Sequence, residues 1–256
     1  MRETSLKNID IDGDARIAAH SRILKTKPML QKVFAENFRV MLDGADRWFS
    51  ATGERLELGS GAVSIKAISK DIITSDIVPS KYNDLVLDGQ DMFFEDDSLA
   101  VIFAQNVFHH FNDPEKFLSE ASRTLKNGGG IVLLEPYHGP LASFIYKFMI
   151  TEEDFDKSQR GWKSDTTGPM LNANQALSFI VFDRDYETFR SKFPEFELVS
   201  TEIRGNYLRY ILSGGLNFKS LAPSWMEPVL TFLEGGLSPF QRLFGIHHII
   251  FIRKCN

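Results

Sequence analysis

Cysteine is almost missing from this 256-residue chain, whose one thiol is Cys255. A single cysteine builds neither a disulfide framework nor a thiolate metal cage, and its scarcity suits a reducing compartment. No apolar run approaches the roughly 20 residues needed to cross a bilayer. The opening "MRETSLKNIDIDGD" is polar and acidic and lacks the apolar centre of a secretory signal. A cytoplasmic protein is therefore the expectation. Long basic runs are also missing, and the formal net charge is -5. A nucleic-acid surface is not expected, because phosphate affinity comes largely from clustered Lys and Arg. No His, Asp or Glu cluster has metal-ligand spacing along the chain, so no metal is expected. The acidic runs "EDD" (95–97) and "DFD" (154–156) read as solvated loop charge.

What is present is enough for a large core: 43% of the residues are hydrophobic, and phenylalanine alone counts 22. In "MLQKVFAENFRVML" the apolar residues Met29, Leu30, Val33, Phe34, Phe38, Met41 and Leu42 share one helix face, with Pro28 placed for a first turn. From Arg55 short apolar runs alternate with turns or helices: "RLEL", "IITSDI", "DLVLDG", "LAVIFAQNV" and "GGIVLLEP". Near-continuous apolar runs suit strands covered on both faces. Between the last two lies a clear helix. Asn112 or Asp113 can cap it, Pro114 opens it, Phe117, Leu118, Ala121 and Leu125 share a face, and Gly128 can stop it. The connection between the second and third runs, Val78 to Asp84, is too short for a full crossover helix. Residues 138–180 are irregular, as expected of a lid or binding loop. "RDYETFRSKF" reads as a helix, and "FELVSTEI" and "HHIIFIRK" read as final strands.

The stretch "RLELGSGAVSIKAIS" (Arg55 to Ser69) reads as a strand, a glycine turn and a helix start. Gly59 and Gly61 permit a tight turn and a close approach by a ligand. A dinucleotide fingerprint would place a third glycine where this chain has Val63 and Ser64. Carboxylates end the first three strands: Glu57, Asp76 and Asp88. Asp76 falls about 20 residues beyond Glu57, where a carboxylate reaches ribose hydroxyls, and in a doubly wound sheet all three strand ends face one crevice. That much negative charge serves a pyrophosphate poorly. It serves a cationic, phosphate-free adenosine ligand well, and S-adenosylmethionine is one.

Together "LELGSGAV", "TSDI", "DGQDMFFEDDSLAVIFAQNVFHHF" and "EASRTLKNGGGIVLLEP" resemble class I S-adenosylmethionine-dependent methyltransferases, particularly the small-molecule group called type 11. The resemblance covers roughly Arg55 to Pro136. More loosely, "LNANQALSFIVFDRD" and "YLRYILSGG" look like a bacterial subgroup associated with surface-polysaccharide synthesis. The resemblance implies an α/β fold with a Rossmann-like, doubly wound, mostly parallel seven-stranded sheet and helices on both faces. The N-terminal helical segment would occupy 1–50, the cofactor core 51–137, a lid after the fifth strand 138–190, and the closing strands 191–256, all in one domain. It also implies roles. Glu57, Gly59, Ser60 and Gly61 would wrap the methionine end of S-adenosylmethionine. Asp76 would bind the ribose hydroxyls, with Ile77 packed on adenine. Asp88 and Gly89 would read the adenine edge, and Gln105 and Asn106 would contact the amino-acid moiety.

Methyl transfer needs an aligned acceptor and, for an alcohol, a place for its proton. "NVFHHF" offers His109 as a base, with His110 more suited to packing. "EPYHG" offers Glu135, Tyr137 and His138 after the fifth strand. Tyr207, Arg209 and Tyr210 are weaker candidates, and His247 and His248 read as structural. Each of these residues has a plain alternative in packing, a salt bridge or a loop cap. The aromatics Phe144, Tyr146, Phe148 and Trp162, with "LAPSWMEPVLTFLEGGLSPFQRLFG", foretell a sizeable apolar surface. It would serve as a pocket wall, a homodimer contact or a face against a membrane carrying a lipid-linked acceptor. The expected activity is methylation, on oxygen, of a small molecule or glycan. The alternatives are a cofactor-binding partner protein without turnover, or a nicotinamide-dependent reductase. The reductase is disfavoured because no tyrosine has lysine four residues on; Tyr186 has Arg190 instead.

Overall fold

A computed structural model describes residues 2–6, 9, 13–150, 153–164 and 173–255. Parts of the anticipated lid, 151–152 and 165–172, lie outside the described residues. The apolar runs become β1 (Glu54–Leu58), β2 (Ile72–Asp76), β3 (Leu85–Val86), β4 (Leu99–Gln105) and β5 (Leu125–Pro136). The later strands are β6 (Phe196–Ile203) and β7 (His247–Lys254). They form one seven-stranded sheet in the order β3-β2-β1-β4-β5-β7-β6. β2, β1, β4 and β5 run parallel, whereas β7 is antiparallel to both β5 and β6. The chain moves outward from β1 to β3 and then returns to β4 on the other side of β1. That reversal opens a crevice beyond the carboxyl ends of β1 and β4, the usual ligand position in such sheets.

Helices flank the sheet: α1 (Asp14–Lys25), α2 (Pro28–Trp48), α3 (Pro114–Thr124), α4 (Pro140–Phe148) and α5 (Leu177–Phe179), then α6 (Tyr186–Lys192), α7 (Tyr207–Ser213), α8 (Glu227–Gly236) and α9 (Gln241–Phe244). The sheet is apolar on both faces, and each face carries its own core. On one, Phe117 and Leu118 of α3 and Phe182 and Phe189 near α6 pack on Leu56, Ile102 and Leu133. Asp113, not Asn112, caps α3 by accepting from the Lys116 amide at 3.1 Å. On the other face, Leu30, Phe34, Phe38 and Met41 of α2 pack on Phe103, Val132, Leu134 and Phe251. The helix-face spacing read from "MLQKVFAENFRVML" is therefore used in full. Contact is so close that a Cβ on Gly44 would lie 2.2 Å from the Phe251 ring.

The helix expected after the glycine turn does not form. A single 3-10 turn, Ile65–Ala67, stands in its place, started by the Ser64 side chain. Ile65 and Ile72 are covered by the α2 core instead, so the N-terminal helix does the work of the missing crossover. The β2–β3 link is likewise without a helix, as its length foretold. Residues 204–246, between β6 and β7, hold α7, α8 and α9 and are far more helical than the sequence reading implied. Of the four lid aromatics, Tyr146 and Trp162 are buried while Phe144 and Phe148 are exposed, as Trp225 and Phe232 are elsewhere in the sequence. Trp162 is a core residue whose Nε1 donates to Asp185 at 3.0 Å. No helix among the described residues is long and apolar enough to cross a membrane.

Candidate active site

The glycine turn is held in shape from three sides. Gly59 and Gly61 both have left-handed backbone, φ +60° and +48°. A Cβ on Gly59 would come within 2.3 Å of Val107. The Ser60 amide donates to the Ser75 carbonyl at 2.9 Å, tying the turn to β2. The Gly61 amide donates to Asp76 Oδ2 at 3.0 Å. Behind the turn, the buried Glu57 carboxylate accepts from the Ser64 hydroxyl and from the Ile65 amide, at 3.0 and 3.2 Å. Burial, opposed by those donors, pushes its pKa up to about 7. Glu57 does not line the cleft. It supports the turn that does, which corrects the expectation that it wraps the ligand directly.

The cleft has two adjoining compartments that share Gly59, Asp76, Ile77 and His110. The first is lined by Leu58, Leu87, Ile77 and Phe111 together with Asp76, Asp88 and Gly89. Asp76 Oδ1 accepts from the Val78 amide at 2.9 Å, and burial raises its pKa. Asp88 Oδ1 accepts from the Gln90 amide at 2.9 Å. A Cβ on Gly89 would sit 3.0 Å from both Leu58 and Phe111, so a side chain there would crowd this compartment. The second compartment runs from Ser60 and Gly61 past Gln105 and Asn106 to His109, Tyr146 and Glu153. Asn106 has φ +52°, and its amide donates to the Leu134 carbonyl at 2.8 Å. Gln105 Oε1 is buried there with no hydrogen-bond partner, a costly condition unless a ligand group meets it.

A 3-10 turn, Phe108–His110, follows β4 and puts the two histidines at the cleft. Glu135 is fully buried beneath them. Its Oε1 accepts from the Val107 and Phe108 amides at 3.0 and 2.9 Å, while Oε2 lies 2.5 Å from His109 Nδ1. On the other side of the ring, His109 Nε2 is 3.3 Å from Glu153 Oε2. Burial alone would lower the His109 pKa, but the two carboxylates outweigh it and raise it. The same contact lowers the Glu153 pKa against its own burial. His109 is thus clamped between two carboxylates that favour its protonated form, an arrangement that opposes its use as a free base. Glu135 acts through His109 and the backbone turn and does not face the cleft.

Tyr137 and His138 are not brought to the cleft. The Tyr137 ring packs between His138 and His248, with centroids 4.6 and 5.5 Å away. His138 packs on Phe179 and lies 3.8 Å from Asp183. Arg209 is buried in a structural network with Glu36 and Glu234, whereas its neighbour Tyr210 lines the cleft. His247, read as structural, is also at the cleft wall, and burial pushes its pKa down to about 3. Sequence reasoning missed Arg16, His20, Glu153, Gln175 and Asn217, which line the second compartment. Arg16, His20 and Asn217 come from segments that no motif marks, whereas Glu153 and Gln175 lie in the stretch expected to be a lid or binding loop, which did not single them out.

Residues 57–133 match the family model described as "Methyltransferase domain". Residues 57–133 are a methyltransferase domain. Methyltransferases of this class take the methyl group from S-adenosylmethionine, and the chain is an enzyme of that kind. Geranyl diphosphate C-methyltransferase from Streptomyces coelicolor A3(2), solved with Mg2+, geranyl diphosphate and S-adenosyl-L-homocysteine, shares the fold. Its TM-score is 0.50 at 13% identity, covering 89% of this chain and 83% of that one. A chain of the Haloferax volcanii complex between the Trm112 methyltransferase activator and a methyltransferase is similar too. It has a TM-score of 0.50 at 15% identity, covering 97% of this chain and 99% of that one. No protein of curated function matches the methyltransferase in sequence. The cleft fits S-adenosylmethionine on its own terms. It offers a turn open to close approach, carboxylates in place of phosphate-binding cations, and the orphaned Gln105 Oε1 beside the turn.

Proposed function

We propose that this methyltransferase methylates a hydroxyl oxygen of a small-molecule or glycan acceptor in the cytoplasm. The observation that carries the reading is the second compartment. It begins at the glycine turn and continues into a wall of Arg16, His20, Glu153, Gln175 and Asn217. These polar groups, set among Ile17, Phe34, Ile150 and Leu216, offer hydrogen bonds to a hydroxylated acceptor. In this reading Asp76 takes the ribose hydroxyls, and Ile77 and Phe111 sandwich the adenine. Asp88 accepts from its amino group across Gly89. Gly59, Ser60 and Gly61 border the methionine end, and Gln105 and Asn106 meet its amino-acid moiety. Bound S-adenosylmethionine supplies an electrophilic methyl group with a good leaving group already attached. What remains for the chain is alignment. Glu153, kept ionised by His109, accepts a hydrogen bond from the acceptor's hydroxyl and aims the oxygen; as the methyl group leaves sulfur for that oxygen, the hydroxyl proton passes to solvent. His109 stays protonated and fixes Glu153, and Glu135 fixes His109.

The exposed apolar residues Phe144, Phe148, Trp225 and Phe232 lie outside the cleft. We read them as the face by which the enzyme meets a second copy or a membrane bearing a lipid-linked acceptor. The assay is transfer of labelled methyl from S-adenosylmethionine to cell-envelope and small-molecule extracts, followed by identification of the labelled atom. Label on hydroxyl oxygens of a polar acceptor is the expected result. Label on carbon, or calorimetry showing no binding of S-adenosylhomocysteine, would overturn the reading.

A further inference from the structure

We propose that His109, His110 and Glu153 form a binding site for a divalent transition-metal ion at the floor of the second compartment. The inference goes beyond methyl transfer and concerns a second state of the same cleft, in which the ion takes the place of the proton on His109 Nε2, released to solvent, and Glu153 becomes a ligand. One ligand atom from each side chain lies within 4.8 Å of the other two, and all three residues line the cleft. His109 Nε2 and Glu153 Oε2 are 3.3 Å apart, and His110 Nε2 and Glu153 Oε1 are 4.0 Å apart. Ligands about 2.1 Å from a shared zinc ion stand roughly 3.4 Å from one another in a tetrahedral arrangement. The His109–Glu153 pair already has that spacing. The third ligand needs a contraction of up to about 1.4 Å, to be supplied by side-chain torsions in a short turn.

The His109 ring is arranged as metal-bound histidines are. Its Nδ1 faces the Glu135 carboxylate, so the nitrogen presented to the cleft is Nε2. Glu135 cannot swing away, because its other oxygen is held by the Val107 and Phe108 amides. A buried carboxylate behind a histidine, held in turn by backbone donors, sets both ring orientation and tautomer. Two imidazoles and one carboxylate favour zinc, cobalt, iron or manganese over magnesium or calcium, which take oxygen ligands. Three protein ligands leave coordination positions open toward the cleft, where water or acceptor oxygens would complete the shell. An ordinary ion-pair cluster explains the distances between His109 and its two carboxylates. The second imidazole, packed on the first at 4.3 Å between centroids and 4.0 Å from the same carboxylate, adds a third ligand at the cleft surface.

The experiment is titration of the full chain with Co2+, read by visible absorption, and with Zn2+, read by calorimetry. The expected result is one ion per chain with a dissociation constant in the micromolar range or tighter, and intense cobalt ligand-field bands. His110→Ala and Glu153→Gln should each weaken binding tenfold or more. His110→Ala is the safer variant for folding, and thermal melts of both variants check it. No binding by the wild-type chain at millimolar metal overturns the site. Equal affinity in the wild type and folded variants overturns it as well, since other histidines or Cys255 would then hold the ion. S-adenosylhomocysteine binding, measured separately, reports on the methyltransferase reading, so the two can fail independently.

Discussion

His109 Nδ1 lies 2.5 Å from Glu135 Oε2, and neither side chain reaches solvent to any useful extent. A carboxylate at the end of β5 and a histidine after β4 thereby lock the two central strand ends together. Removing Glu135 would leave an imidazolium and two backbone amides without their buried acceptor. Such losses cost about 3–5 kcal/mol. Glu135→Ala should lower thermal stability by that amount, while Glu135→Gln, which can still accept from the amides, should recover part of it. Melting curves of the two variants check this, and equal losses would contradict it.

Asp76 spans the turn and the cleft: one oxygen holds the Gly61 amide, and the carboxylate borders both compartments. Asp76→Ala should weaken S-adenosylhomocysteine binding by one to two orders of magnitude, about 1.5–3 kcal/mol for a lost charged hydrogen bond. Calorimetry on variant protein with an unchanged circular dichroism spectrum is the measurement.

Gly59 combines left-handed backbone with a Cβ position 2.3 Å from Val107. Gly59→Ala should cost about 1–3 kcal/mol of stability and displace the turn. Ligand affinity should fall further than stability does. Gly161, also left-handed but with open space around it, is the control, and its alanine variant should bind normally.

Glu57 predicts a pH dependence. Its folded pKa of about 7 exceeds the ordinary value of 4.5, mainly because it is buried. The folded state therefore holds a proton that the unfolded state gives up. Its contribution is fully present below about pH 4.5 and is lost as pH rises through about 7. Against Glu57→Gln, the wild type should lose roughly 3 kcal/mol over that window. Parallel stability curves for the two proteins between pH 4.5 and 8 would rule the shift out.

Arg209 joins three helices. Its guanidinium contacts Glu36 of α2 at 2.6 and 2.7 Å and Glu234 of α8 at 2.6 Å. Arg209→Ala should destabilise the fold by about 3–5 kcal/mol, because Glu234 would remain buried and unpaired. Cofactor affinity of the folded fraction should not change, which separates this structural role from Tyr210 beside it. A Tyr210→Phe variant with normal stability tests the cleft side.

The glycine-turn part of the cleft was legible because its parts are consecutive. Strand, glycine turn and terminal acid follow one another along 55–89, and backbone geometry fixes what each can do. Gly59, Gly61, Asp76, Ile77, Asp88, Gly89, Gln105 and Asn106 all reach the cleft from strand ends that a parallel sheet must align. Glu57 was misread because its carboxylate can point forward or back, and only the position of Ser64 and Ile65 decides which. The helix after the turn was misread for a related reason. A helix forms where it can bury a face, and α2 already occupied that surface.

The amino-acid sequence by itself determined the sheet, the glycine turn and the identity of the methyl donor, since these rest on local periodicity and on residues close in the chain. Tertiary structure alone decided the far wall of the second compartment. Arg16 and His20 arrive on α1, Glu153 after α4, Gln175 before α5, Tyr210 on α7 and His247 at the start of β7. Their meeting depends on how two apolar faces of one sheet are covered. Packing of that kind is set by the shapes of distant side chains, and no spacing along the chain records it.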